Sequence, residues 1–175
     1  MKKLHPLLLL LILCCFFACT NEKKVEAITE KTTLQPFTDT VKLDTFKITL
    51  AGEKSDEMVL KFTIKNFNGI EIYKKEIKAK DLLKSYLASE DLKKENEKIK
   101  FINEQINVFL TEEHFLAPAV TEDQQFDNNT PDKAFYEELK ATKLDGFYYS
   151  LGKDKSIYIA WSIKEQKVKV YYHCC

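Results

Sequence analysis

The chain has 175 residues, 45% of them hydrophobic and 31% charged, a composition that fits one folded domain and excludes a wholly disordered chain. Its 27 basic and 27 acidic residues cancel to a formal charge of +0, so no long-range field draws it to nucleic acid. Every basic residue is lysine, so the planar arginine fork, the commonest tool for gripping phosphate or carboxylate, is absent.

Met1-Lys2-Lys3 is a short positive start, Leu7 through Phe17 is an almost unbroken apolar run, and polar sequence begins at Thr20. Such a run suits the apolar core of a signal peptide and falls well short of the roughly 20 residues that a membrane-spanning helix needs. The paired small residues required by a general signal peptidase are missing. Phe16-Phe17-Ala18-Cys19 instead resembles the lipobox of bacterial lipoproteins, in which a small residue precedes the cysteine that takes the lipid. The chain departs from that pattern at Phe16 and Phe17, where Leu and a small or β-branched residue are usual. The resemblance implies a signal peptide over 1–18 and a lipid on Cys19. Because Thr20 rather than Asp follows the cysteine, it also implies attachment to the outer membrane of the cell envelope. Two or three acyl chains would hold firmly, since each buried methylene adds about 0.8 kcal/mol.

Residues 19–40 are rich in Lys, Glu and Thr, without a sustained apolar period, and read as the lipidated cysteine with a flexible tether. A single α+β domain is expected over 41–175. Val41-Lys42-Leu43 alternates, slips phase at Asp44-Thr45 and resumes at Phe46, Ile48 and Leu50, which predicts a bulge. Met58, Leu60, Phe62 and Ile64 mark a half-buried strand. Asn68-Gly69 then predicts a two-residue type I′ hairpin turn, placing Ile64 opposite Tyr73 and Lys61 opposite Glu76. Asp81 can cap a helix carrying Leu82, Leu83, Tyr86 and Leu87, which restarts or continues at Ser89. Residues 99–110 fit either a helix or a strand, and helix is preferred because Asn103, Glu104 and Gln105 interrupt any strand pattern. A loop over 116–129 leads to a helix opened by Thr130-Pro131-Asp132, with Thr130 as cap. Three strands close the chain as a meander: Phe147, Tyr149 and Leu151; Ile157, Ile159, Trp161 and Ile163; Val168, Val170 and Tyr172. The fold class is therefore α+β, an antiparallel twisted sheet with helices inserted in mid-chain.

The stretch from Tyr73 through Leu87, an aromatic–Lys strand end running through Lys80-Asp81 into a short helix, resembles an element of small envelope lipoproteins from a domain family of unknown function. That resemblance implies fold and location only.

Chemistry is sparse. Neither His114 nor His173 sits in a nucleophile motif, and four glycines leave no phosphate-cradling loop. Asp123, Asp127, Asn129 and Asp132 cluster, but without the alternation and glycine of a calcium loop. Aromatics crowd the last strands, and Tyr149, Tyr158 and Tyr171 are the candidates for a binding face. The expected role is a membrane-anchored, non-enzymatic binding or structural domain. Its expected partners are the membrane, through the lipid, and an envelope protein or glycan. No cofactor or nucleic acid is expected. The alternative is a metal-binding or redox role for His173-Cys174-Cys175, although three consecutive strand residues cannot all face one ion.

Overall fold

The first strand begins before the apolar alternation does. In the computed structural model, which describes residues 30–87 and 92–174, β1 (Glu30–Pro36) pairs antiparallel with β2 (Leu43–Ala51) over its full length, Glu30 opposite Thr49 and Pro36 opposite Leu43. The leader, Cys19 and the tether up to residue 29 lie outside the described residues. Over residues 30–40 the reading as tether is corrected. This stretch holds a strand and a packed loop, and Phe37 in that loop is fully buried. The strand escaped notice because it is an edge strand whose half-buried positions are Lys31, Thr33 and Gln35 rather than apolar residues.

The bulge predicted at Asp44-Thr45 is absent. Strand β2 alternates without a break, with Asp44, Phe46, Ile48 and Leu50 buried, while Val41 and Leu43 face solvent. A carboxylate thus occupies an inward position where the apolar pattern implied a slip. Burying a charge is costly unless it is bonded. Here Asp44 Oδ2 accepts from Thr38 N at 2.6 Å and Oδ1 from Phe67 N at 2.7 Å. One side chain thereby ties the β1–β2 loop to the next hairpin.

That hairpin joins β3 (Val59–Lys65) to β4 (Glu71–Lys78), with Ile64 opposite Tyr73 and Lys61 opposite Glu76 as expected. The turn is a different one. Gly69 N donates to Asn66 O at 2.7 Å, and Gly69 alone has a positive φ, of 80°. Phe67 and Asn68 are therefore the central residues and Gly69 is the left-handed residue that closes the turn, and a bulge further along, where Ile64 faces Tyr73 but Lys65 faces Glu71, leaves Ile72 as the extra residue. The bulge restores the pairing that a type I′ turn would have produced.

Helix α1 (Ala79–Lys84) starts ahead of Asp81, which lies in its first turn instead of capping it. The restart or continuation expected at Ser89 lies outside the described residues. Helix α2 (Glu95–Phe109) resolves the ambiguous stretch, burying Ile102, Ile106 and Phe109, and its first turn is closed by the Glu97 carboxylate accepting from Lys94 N. A 3-10 turn at Glu112–His114 leads into the short β5 (Phe115–Leu116). Helix α3 (Lys133–Thr142) is capped by Asp132, whose carboxylate accepts from Phe135 N at 3.0 Å, and not by Thr130. The chain closes with β6 (Gly146–Ser150), β7 (Ser156–Ser162) and β8 (Lys167–Cys174).

The mixed α and β composition stands, but the strands form two four-stranded antiparallel sheets, in the orders β1-β2-β3-β4 and β5-β6-β7-β8. The C-terminal meander gains β5 at its edge. Helices α1 and α2 connect the sheets, and α3 falls within the second. The sheets face each other through Phe46 and Phe62 on one side and Phe147 and Tyr149 on the other, with Phe62 and Phe147 centroids 5.1 Å apart. The sheets also meet where β4 approaches β8, while α2 packs on β1 and β2 and closes the other side. Lys31 Nζ donates to the Asn107 carbonyl there, joining the edge strand to the end of α2.

Because Phe37 is fully buried against Phe46, with centroids 5.3 Å apart, Phe37→Ala should cost about 3–5 kcal/mol in urea denaturation. A loss below about 1 kcal/mol would show that the segment before residue 40 is not part of the folded unit.

Candidate functional site

A strand turns successive side chains to opposite faces, so once Phe147, Ile157 and Ile159 are committed to the core between the sheets, Tyr148 and Tyr158 belong to the far face of the second sheet. This rule corrects one candidate. Tyr149 is in phase with Phe147, is 1% exposed and points into the core, where its hydroxyl lies 2.7 Å from that of Tyr73. Burial pushes both of these phenols above their ordinary value.

Tyr158 and Tyr171 do share the far face, with centroids 6.0 Å apart. They are joined by Tyr172, which the alternation had placed with Val170 on the core side. The register of β7 and β8 shifts, so that Tyr158 faces Tyr172 while Ile159 faces Val170. Tyr171 is the extra residue of that bulge, and two consecutive tyrosines end on one face. The Tyr158 ring stands at 83° to Tyr172, 5.5 Å away, and lies nearly parallel to Tyr148 at 5.0 Å. His114 continues the row, 4.7 Å from Tyr148.

A loop crosses this face from the β5 edge to the β8 edge and is fastened along its course. Ala119 N donates to Leu144 O at 2.8 Å, and the Tyr171 hydroxyl donates to Ala119 O at 3.1 Å. The Tyr172 hydroxyl donates to Asp127 Oδ2 at 2.9 Å, and His173 N donates to Asn129 O at 3.0 Å. Gly146 makes room for the crossing. A Cβ there would lie 2.9 Å from both the Ala119 Cβ and the Tyr171 hydroxyl. Helix α3 covers the adjoining part of the face with Phe135, Tyr136 and Leu139. It is held by Glu138, which accepts from the buried Ser162 hydroxyl at 3.1 Å, and by the Asp132–Lys169 pair at 2.7 Å.

Between loop and sheet lies a cleft of about 520 Å³, within the size range of small-ligand sites. Tyr136, Tyr158, Tyr171 and Tyr172 line it from the fold, the 115–119 segment walls it, and Thr121, Gln124, Gln125 and Asp127 bring polar groups. Burial raises the phenols of Tyr136, Tyr158 and Tyr171 above their ordinary value, so they remain protonated donors at neutral pH.

The acidic residues of the loop are divided among separate tasks. Asp123 accepts from the Thr121 hydroxyl, Asp127 orients Tyr172, and Asp132 caps α3. Among the described residues no group of three or more His, Cys, Asp or Glu side chains could hold a metal ion. His173 is exposed on β8, Cys174 is disulfide-bonded, and Cys175 lies outside the described residues. The β8 bulge carried no sequence signal, so Tyr172 was missed as a member of the site, and Tyr148 was missed because its neighbour Tyr149 was taken in its place. The doublet Tyr171-Tyr172 was the available hint. No protein-family model, curated protein or solved structure matches the chain. The fold and the cleft by themselves define an α+β protein of two antiparallel sheets whose second sheet carries a preformed, tyrosine-lined cleft on its far face.

Burial holds the His114 imidazole below its ordinary value of 6.5, against the opposing charge of Glu113. The folded state therefore binds this proton less readily than the unfolded chain, so the associated stability is full above 6.5 and is lost as the pH falls through the folded value. Urea midpoints taken from neutral pH down towards pH 5 should fall more steeply for the wild type than for His114→Gln. Parallel slopes would contradict the burial of this ring.

Proposed function

We propose that the protein is a lipid-anchored envelope lipoprotein whose folded domain binds a ligand in the tyrosine cleft without transforming it. The cleft carries this reading. It is walled by a loop that four hydrogen bonds fasten in place, so little ordering entropy remains to be lost on binding. Among the described residues that line it, Asp127 is the sole carboxylate, and that carboxylate is engaged by Tyr172. No nucleophile, base and oxyanion donor converge there.

The anchor half of the proposal rests on Phe16-Phe17-Ala18-Cys19 and its resemblance to a lipobox. It supplies location, and the cleft supplies the task. A metal-binding role is less well supported, because the disulfide occupies the Cys174 sulfur that would have to serve as a thiolate ligand.

Both halves are tested in cells. A fatty-acid analogue should label the protein, and Cys19→Ser should abolish the label. A photo-crosslinker at the exposed Gln125 on the cleft rim should then capture a ligand, and Tyr172→Ala should remove that capture. A crosslinker at Lys61, on the outer face of the first sheet, should capture nothing comparable. Labelling that survives Cys19→Ser would overturn the anchor, and capture confined to Lys61 would overturn the cleft.

A further inference from the structure

The cleft differs from the rest of the surface in one respect. Lysine makes up all 27 basic residues of the chain, yet none of the residues lining the cleft is lysine. The one charge present is the Asp127 carboxylate, which would repel phosphates, uronates and other anions at short range. What remains is a set of flat rings and planar polar groups. Tyr158 and Tyr172 meet almost at a right angle, forming a corner with one ring plane as floor and the other as wall. The side-chain amides of Gln124 and Gln125 and the carboxylate of Asp127 line the same cavity.

From this arrangement we infer that the cleft takes a short neutral oligosaccharide. A pyranose ring has an apolar C–H face, which packs on an aromatic plane, and an equatorial fringe of hydroxyls that both donate and accept. The tyrosine corner supplies the plane. The amides provide paired donors and acceptors, and the carboxylate accepts through the lone pairs its two bonds leave over. Asp127 also orients the platform. Its Oδ2 accepts from the Tyr172 hydroxyl at 2.9 Å while its Oδ1 accepts from Asn129 N at 2.7 Å, so the phenol is held in position before a ligand arrives. An extended peptide fits less well, because the cleft lies on the face of the sheet beneath a fastened loop and offers no free strand edge for main-chain pairing.

This inference rests on the cleft being the binding site. Full-length lipoprotein in detergent would be titrated separately with chitotriose, cellotriose and maltotriose, with trigalacturonate as the anionic probe and a decaproline peptide as the polypeptide probe. At least one neutral trisaccharide should bind and perturb tyrosine fluorescence. Tyr158→Ala should weaken it about tenfold or more, and Tyr158→Phe should leave it nearly unchanged. Gln125→Ala changes an exposed loop side chain and cannot unfold the domain, so it provides a second reading and should weaken binding severalfold. Binding of none of the three sugars, tighter binding of trigalacturonate or decaproline, or indifference to both Tyr158→Ala and Gln125→Ala would overturn the inference. If the sugars fail while the Gln125 crosslink persists, the ligand class falls and the cleft stands. If both fail, the cleft reading falls with it.

Discussion

The ring of Phe147 lies within 6.4 Å, centroid to centroid, of Phe46, Phe62, Phe109, Phe115 and Tyr149. These rings come from both sheets and from α2, so one fully buried side chain is where the main layers meet. Aromatic packing of this kind contributes through buried area and through edge-to-face geometry. Its further consequence is directional. With Phe147 held inward, the period of two in the strand turns Tyr148 outward, and pairing with β7 then brings Tyr158 alongside it. The far face of the second sheet acquires its character from what the core has already claimed.

A second constraint converts that face into a cleft. The bulge in β8 places Tyr171 and Tyr172 side by side on it, and each hydroxyl reaches up to the crossing loop, Tyr171 at Ala119 and Tyr172 at Asp127. The loop can settle that closely because Gly146 has no side chain beneath Ala119. Asp44 plays a comparable part in the first sheet, where its two backbone partners join separate hairpin loops. In both places, loops without regular structure are fixed by a few hydrogen bonds from buried or half-buried side chains, each costly to leave unmade.

Much of the fold was legible where apolar periodicity was strong. The alternation of Leu60, Phe62 and Ile64 located β3, whereas the spacing over 99–110 fitted helix and strand alike and the polar Asn103, Glu104 and Gln105 decided for α2. The register of Ile64 on Tyr73 was readable although the turn type was not, because a bulge at Ile72 brings the strands back to the pairing of the expected turn. Illegible parts share a cause. Strand β1 turns the half-buried Thr33 and Gln35 inward, and β2 buries Asp44, so polar residues held by pairing or hydrogen bonds occupy positions that a hydrophobic pattern assigns to apolar ones. At the site, Tyr158 and Tyr171 were readable from aromatic crowding. Tyr149 was misplaced by the same crowding, although its phase with Phe147 and Leu151 already assigned it to the inward face. The β8 bulge that recruits Tyr172 depends on pairing with β7 and leaves no local trace.

The account therefore turns on a division of the tyrosines between two faces of one sheet. The division can be read directly by acetylating the native protein with N-acetylimidazole and mapping the modified residues by mass spectrometry. Tyr158 and Tyr172, both half-buried on the cleft face, should react in the folded protein. Tyr149 should stay unmodified until the protein is unfolded by denaturant. Acetylation of native Tyr149 at the rate of Tyr172 would contradict the assignment of faces and the cleft built on it.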